Sequence, residues 1–267
     1  MIGVIAIVLT LLIGLCVGSF LNVVIYRLPN NMSLIKPASH CPNCQNKIKW
    51  YDNIPLISYI VLRGKCRHCK CKISPRYLIV ELTNMLLWFV ALMFNTNFIF
   101  SSFETNYLMF ALNCIAFSLL LCIFCCDLEH LEIPDELQMC LLIVAIVSLL
   151  SKDVDISSRV YGFLIGGGFL ALFSLIFYLI KKREGIGFGD IKLMAVLGLL
   201  LGMKSIIVCI VLSAIFGAIG LSILSIAKKG EKNKEYPFAV FIAPCAIIAT
   251  FLGEIIANWY LSLFVAL

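Results

Sequence analysis

The sequence predicts an all-α membrane protein with about eight transmembrane helices and one small polar insert. Of its 267 residues, 62% are hydrophobic and 13% are charged, and the mean hydropathy is +1.03. A soluble protein of this length needs more charge to cover its surface, so lipid is the main solvent of this chain. The apolar residues also fall into runs separated by short polar segments, which is typical of a chain that crosses a bilayer repeatedly.

The apolar runs set the positions of the predicted helices. Two runs, 136–150 and 191–203, are shorter than the ~20 residues that a perpendicular span needs. We therefore expect them to tilt, to lie where the bilayer thins, or to contact protein rather than lipid. The predicted helices are 2–26, 78–95, 107–126, 136–150, 158–180, 191–203, 205–227 and 238–258.

Two of these runs carry a further signal. The first has no basic segment before it and is too long for a cleaved secretory leader, so we expect it to remain as a transmembrane helix. The run 158–180 contains Gly166, Gly167 and Gly168. Small residues at these positions predict close contact with another helix, with a kink as the alternative.

The basic residues predict how the chain is oriented in the membrane. If the N-terminus lies outside, all 21 Lys and Arg except Lys152, Arg159 and Lys204 lie in or beside cytoplasmic segments. The positive-inside rule favours that orientation. The net charge of +6 then belongs to a face beside anionic headgroups, and no feature requires nucleic acid. The predicted cytoplasmic segments are 27–77, 128–135, 181–190 and 228–237.

The insert 27–77 contains two Cys-x-x-Cys pairs, which predict a metal site. Tetrahedral zinc accepts four thiolates, and two such turns form a ribbon-like knuckle. A site closed by four protein ligands is structural, and bound metal would stabilise an insert that has little core of its own. The alternative, redox pairs or unligated thiols, is disfavoured by a reducing cytoplasm. His68 and Cys71 are substitute ligands, and the predicted ligands are Cys41, Cys44, Cys66 and Cys69.

Two aspartates lie at the predicted cytoplasmic boundary of the helices. Asp127 follows the run 107–126, and Asp190 ends a Gly-Phe-Gly-Asp sequence before the next run. Two close carboxylates that share a proton supply the base that activates water and the acid that protonates a leaving amine, as peptide hydrolysis requires. Gly187 and Gly189 would let a substrate strand approach the backbone closely. The alternative role for Asp190 is a helix N-cap.

The predicted helix ends also distinguish the two carboxylates. Asp127 lies at a predicted C-terminus, where free carbonyls disfavour a negative charge, and Asp190 lies at a predicted N-terminus, where free amides favour one. This difference predicts Asp190 as the ionised base and Asp127 as the protonated acid. Asp135, next to Pro134, is predicted to begin a helix and to be dispensable for catalysis.

With these motifs in place, the chain resembles the type IV prepilin peptidase family. The matching stretches occur in the family's order and cover nearly the whole chain. They are 18–29, the two Cys-x-x-Cys pairs, 52–55, 62–66, 73–77, Glu81, Asp127 with 133–135, and 187–193.

The resemblance implies an aspartic endopeptidase of the bacterial plasma membrane. Such enzymes remove the short basic leader of prepilins or pseudopilins, after a glycine and on the cytoplasmic side, in type IV pilus assembly and protein secretion. The family's catalytic aspartates map to Asp127 and Asp190. Many members also methylate the new N-terminus with S-adenosylmethionine through the region of the cysteine insert, and the insert retained here implies a bifunctional member.

The resemblance also divides the chain and identifies two departures. Residues 1–26 are then a first transmembrane helix, 27–77 a zinc-binding insert associated with methyl transfer, and 78–267 the peptidase domain. The family's Pro-Phe-Gly-Pro reads Pro-Phe-Ala-Val at 237–240, which removes the basis for a glycine-dependent turn there. The insert has no glycine-rich cofactor loop, only Gly64, so the sequence does not locate the methyl donor.

Three other functions compete with this interpretation. A proton-coupled transporter is disfavoured because the two aspartates lie at one membrane edge rather than at the midplane. A non-catalytic scaffold that docks pilus machinery would keep the cysteines but tolerate loss of either Asp127 or Asp190. An unrelated intramembrane protease with the same Gly-x-Gly-Asp motif would lack the cysteine insert.

Overall fold

The computed structural model describes residues 2–95, 106–151, 154–182, 187–227 and 237–265, so parts of the predicted loops 181–190 and 228–237 lie outside the described residues. These ranges are mainly helical, and they contain two isolated β-bridges but no strand. The helices are α1 Ile2–Arg27, a 3-10 turn at Trp50–Asn53, α2 Ile57–Val61, α3 Arg76–Asn95, α4 Tyr107–His130, α5 Asp135–Ser148, α6 Ile156–Lys181, α7 Phe188–Leu201, α8 Met203–Ala227 and α9 Ala239–Val265.

Each of the eight predicted runs forms a helix, but they are not all of one kind. Within the described ranges, six helices are long and apolar enough to cross a membrane, namely α1, α3, α4, α6, α8 and α9. The other two, α5 and α7, have 14 residues each, which is too short for a perpendicular span. The predicted count of eight transmembrane helices is therefore not confirmed, whereas the all-α membrane architecture is.

Protein buries most of α7 and one face of α5, whose other face is exposed. Leu141 and Ala145 of α5 and Leu193 and Leu197 of α7 are fully buried, and α7 packs against both α5 and α6. The neighbouring helices thus provide the apolar surroundings that lipid would provide for a longer helix.

The chain forms two compact units, Met1–Cys122 and Ile123–Leu267. In the first unit, α1 packs closely on α3. A Cβ at Gly18 would lie 2.8 Å from the Cα of Glu81, and the Asn84 amide donates a hydrogen bond to the Gly14 carbonyl at 2.8 Å. Because this unit spans Met1–Cys122, it contains the cysteine insert as well as α1 and α3.

In the second unit, glycines hold α6 against α7. A Cβ on either Gly162 or Gly198 would overlap the carbonyl oxygen of the other, and a Cβ at Gly166 would overlap the carbonyl of Met194. Gly167 meets the Ala195 side chain, while a Cβ at Gly168 would enter open space. The predicted helix contact thus forms at Gly166 and Gly167 but not at Gly168, and α6 continues through all of these positions as one helix.

Candidate active site and candidate metal centre

Asp190 lies in the first turn of α7. The helix begins at Phe188, and Gly187 occupies the N-cap position, so Asp190 is inside the helix and the N-cap alternative is wrong. A Cβ at Gly187 would lie 3.2 Å from Asp190 Oδ2. A side chain at position 187 would therefore press on the carboxylate. Gly189 makes no such contact, because its nearest neighbour is Ile133, at 3.5 Å.

Asp127 lies in the last turn of α4 and is only 5% exposed. Its Oδ2 accepts a hydrogen bond from the Val240 backbone N–H at 3.2 Å, and the amide of Ala239 acts on the same carboxylate. Both amides belong to the first turn of α9, whose free N–H groups favour a negative charge. The segment 237–240, which departs from the family pattern, therefore supplies a hydrogen-bond donor to Asp127.

The structure brings the two predicted catalytic residues together. Asp127 and Asp190 belong to the same compact unit, and the charge of Asp127 acts on the carboxyl group of Asp190. Asp135 has a different partner, since its Oδ1 accepts from Lys192 Nζ at 2.5 Å across α5 and α7. Two carboxylates in such proximity cannot both ionise freely, which is the condition for sharing a proton.

The sequence-based proton assignment considered only one helix end beside each carboxylate. The helix α4 extends to His130, so Asp127 lies within its last turn, close to its free carbonyls. Asp127 also faces the N-terminus of α9, and Asp190 lies at the N-terminus of α7. Both carboxylates therefore have helix amides nearby, and helix ends alone do not distinguish them.

Sequence reasoning missed Gln138, a buried side chain beside the Gly-x-Gly-Asp segment. Gln138 is 4% exposed, and its Nε2 lies 3.7 Å from the position of a Cβ at Gly189. Its Nε2 donates to the Ile133 carbonyl at 3.4 Å, and its Oε1 has no partner among the described residues. A long polar side chain at a core position of an apolar helix was the signal available in the sequence.

In the first unit, the two Cys-x-x-Cys turns have the same backbone geometry. Bridges between His40 and Lys47 and between Lys65 and Lys72 close the two turns. The first cysteine N–H donates to the carbonyl five residues later in each turn, from Cys41 to Asn46 at 3.0 Å and from Cys66 to Cys71 at 2.9 Å. By this equivalence, Cys44 corresponds to Cys69, and Cys71 corresponds to Asn46.

The sulfur atoms of Cys41, Cys66, Cys69 and Cys71 lie within 4.8 Å of one another. Individual separations are 3.2 Å for Cys69 and Cys71, 3.6 Å for Cys41 and Cys71, and 3.8 Å for Cys41 and Cys69. Tetrahedral zinc with Zn–S bonds of about 2.3 Å places its sulfurs roughly 3.8 Å apart, so this donor set fits zinc. Three predicted ligands are in the group, and Cys71 takes the place predicted for Cys44.

Cys44 remains near this group as a fifth thiol. Its thiol interacts with those of Cys41, Cys66 and Cys69. The Cys71 N–H and thiol lower the pKa of Cys69 to about 6, and hydrogen bonds with Cys69 and Cys41 raise the pKa of Cys71 to about 12. The cluster thus favours the thiolate at Cys69 and disfavours it at Cys71.

An ion pair supports the second turn. Arg67, inside the second Cys-x-x-Cys pair, donates to both oxygens of Asp52 at 2.6 to 3.0 Å. These bonds lower the pKa of Asp52. The Arg67 guanidinium also lies 5.4 Å from the centre of the Tyr51 ring. The pair thereby ties the 3-10 turn to the candidate metal centre.

The fold and the two sites define a polytopic membrane protein with a carboxylate pair on its helices and a cysteine cluster in a polar insert. Residues 12–95 match the model of the bacterial peptidase A24 N-terminal domain, and residues 114–222 match that of the type IV leader peptidase family. The chain belongs to the type IV leader peptidase family.

Curated relatives are similar along nearly their whole length. The prepilin leader peptidase/N-methyltransferase of Stutzerimonas stutzeri is 34% identical, over 94% of this chain and 92% of its own. The proteins of the same name from Pseudomonas aeruginosa and Legionella pneumophila are also 34% identical, over 95% and 94% of this chain and 92% and 93% of their own. No solved structure matches this chain.

Proposed function

We propose that this protein is a membrane aspartic endopeptidase that cleaves the leader from prepilins or pseudopilins. The observation that carries the proposal is the pairing of Asp127 with Asp190 inside one compact unit. Family membership and the names of the relatives support the substrate class. We further propose that cleavage follows a glycine, after a basic leader, at the cytoplasmic face of a bacterial plasma membrane, with the N-terminus of the enzyme outside.

The contacts of the two carboxylates favour distinct roles for them. Asp127 accepts a hydrogen bond from the Val240 N–H, whereas no donor to the Asp190 side chain occurs among the described residues. A carboxylate that is hydrogen-bonded to amides is the better anion. Asp127 is then the base that takes a proton from water, and Asp190 the acid that donates its proton to the leaving amine. This assignment reverses the one drawn from the predicted helix ends.

Conservative amide substitutions test the proposed pair. Asp127→Asn and Asp190→Asn should each abolish leader cleavage while the protein remains in the membrane, because an amide cannot take or share the proton. Asp135→Asn is the matched control and should retain activity, since Asp135 is exposed and paired with Lys192. Cleavage of a purified prepilin, followed by mass spectrometry, is the measurement. Full activity in either Asn variant of the pair would overturn the mechanism.

A second activity, methylation of the new N-terminus, is supported by the insert. The curated relatives are named as peptidase and N-methyltransferase together, and the bacterial A24 N-terminal domain covers the insert. S-adenosylmethionine would supply the methyl group when bound. Zinc would be structural, held by Cys41, Cys66 and Cys69, with Cys44 or Cys71 as the fourth ligand. In this proposal the peptidase chemistry belongs to 78–267 and methyl transfer to the region of 27–77.

A further inference from the structure

A cavity of about 420 Å³ lies in the first unit, between α1, α3 and the insert. Its volume falls within the roughly 300–1,000 Å³ of typical small-ligand pockets. The cysteine cluster forms one side of it, through Cys41, Cys66 and Cys71. Tyr26, Tyr59 and other aromatic side chains contribute to the remaining wall. The cavity therefore combines the size of a ligand site with flat aromatic surfaces beside the cysteine cluster.

Two buried oxygen-bearing side chains also line this cavity, one on each of the packed helices. Glu81 of α3 is 7% exposed, and its Oε2 accepts the Leu56 N–H at 2.8 Å. Asn22 of α1 is 2% exposed, and its Nδ2 donates to the Tyr77 carbonyl at 3.1 Å. Asn22 Oδ1 has no donor within the described parts of the chain. A buried acceptor without a donor is uncommon in native proteins, and a bound ligand is one way to satisfy it.

Around Glu81 and Asn22, the lining of this cavity favours a cationic group. Basic side chains line the cavity elsewhere, namely Arg27, Lys47, Lys72 and Arg67, the last of which is paired with Asp52. A carboxylate and an amide oxygen together attract positive charge and N–H or O–H donors. A second cavity of about 480 Å³ shares Ser19, Val23 and Arg27 with the first, but its described lining contains no acidic residue. Only the cavity with Glu81, among these two, offers a counter-charge to a cation.

We propose that this cavity binds the methyl donor, S-adenosylmethionine, with the cationic part of that molecule against Glu81 and Asn22. The donor carries a sulfonium and an ammonium group, together with a nucleoside whose flat base suits the tyrosine-lined wall. This inference rests on the proposed methyl transfer, and it gives that activity a binding site that the sequence did not locate.

Equilibrium binding of S-adenosylmethionine to the purified full-length protein tests the site. Glu81→Gln should weaken binding at least about tenfold, because the charge is lost while the amide oxygen still accepts the Leu56 N–H. Glu254→Gln is the matched control, since Glu254 is an exposed residue of α9 in the other unit and should leave binding unchanged. Zinc content and leader cleavage should stay at the wild-type level in Glu81→Gln, which would show that the variant is folded.

S-adenosylhomocysteine, which lacks the sulfonium charge, refines the assignment. If Glu81→Gln weakens binding of S-adenosylmethionine alone, Glu81 faces the sulfonium; if it weakens binding of both molecules, Glu81 faces the ammonium group. Either result supports the site. Ultraviolet cross-linking of radiolabelled S-adenosylmethionine to the wild-type protein should label peptides that line the cavity, and it decides the matter if Glu81→Gln fails to fold.

Two results would overturn the inference, and only the second would also reject the proposed methyl transfer. Unchanged affinity in Glu81→Gln, or cross-links outside the cavity, would reject this site while leaving methyl transfer in place. A wild-type protein that cleaves leaders but binds no S-adenosylmethionine would remove the methyl-transfer function together with the site. The peptidase proposal survives both results, because it is measured separately.

Discussion

The carboxylate pair and the cysteine cluster differ in what positions their side chains. Asp127 and Asp190 lie on helices whose positions depend on buried apolar residues and on glycine contacts, such as that between Gly162 and Gly198. The cysteines lie on short turns with little buried apolar area around them, and Cys41 is the one member of the cluster that is buried. Helix packing thus positions the first site, whereas bound metal would position the second. The two sites should therefore fail under different perturbations.

The largest expected effect comes from separating α6 and α7. Gly198→Leu should abolish leader cleavage and destabilise the second unit by about 3 kcal/mol or more, because a side chain there overlaps the Gly162 carbonyl. Zinc content should be unchanged, since the cysteines belong to the other unit. Gly168→Leu is the matched control and should stay active, because a Cβ at Gly168 meets nothing within 4 Å. An active, stable Gly198→Leu enzyme would show that glycine contact does not position Asp190.

Removal of zinc should spare leader cleavage, unlike the Gly198→Leu substitution. A chelator that strips zinc should abolish methylation of the product while leaving leader cleavage substantially intact, because the carboxylate pair does not depend on the insert for its support. Mass spectrometry of the cleaved product, before and after zinc is restored, measures both activities in one sample. Loss of cleavage on chelation, regained with zinc, would mean that the two sites are not independent.

A smaller effect is expected from removing either extra thiol of the cluster. Cys44→Ser and Cys71→Ser should each retain about one zinc, because the other thiol remains as fourth ligand, while the double variant should lose the metal. The double variant Cys66→Ser, Cys69→Ser is the control that should lose zinc, because only three thiols remain in it. Zinc retention against a competing chelator is the measurement. A metal-free single variant would identify that cysteine as the obligatory fourth ligand.

The smallest effect concerns the cap of α6, the helix that supports α7. Asp155 accepts hydrogen bonds from the Ser157 N–H at 3.0 Å and hydroxyl at 2.8 Å, and these bonds lower the pKa of Asp155. The stability from the cap is therefore present above the unfolded pKa of about 3.9 and is lost as the pH falls through the folded value. Asp155→Ala should slightly lower the thermal midpoint of the second unit at neutral pH.

The control for the cap is Asp155→Asn, which keeps a capping oxygen without a titratable group. The stabilisation from the cap in Asp155→Asn should stay constant across the acidic range in which the stabilisation from the wild-type cap disappears. Thermal unfolding of the detergent-solubilised variants from neutral to acidic pH measures the difference. If the thermal midpoint depends on pH equally in the wild type and in Asp155→Asn, then Asp155 is not the source of that pH dependence.

Local sequence signals predicted the elements of both sites. Eight apolar runs predicted eight helices, and the shortness of 136–150 and 191–203 predicted that those two would differ from full spans. The Cys-x-x-Cys spacing predicted two equivalent turns, since its backbone pattern is set within a few residues. The three consecutive glycines predicted a helix contact, although its closest point lies at Gly162. These features depend on neighbours along the chain, which the sequence displays directly.

What only the tertiary structure decided is which distant groups meet. The α9 amide that donates to Asp127 comes from Val240, and no local pattern links these residues. Cys71 joins the cluster because folding of the insert brings the second turn to Cys41, and Glu81 reaches the Leu56 amide for a similar reason. Hydropathy and spacing specify which residues are buried and which turns form, but partners far apart in the chain are selected by packing. The protonation states of the two aspartates and the choice of cysteine ligands for zinc depend on such partners. Helix ends and cysteine spacing alone could therefore not predict them.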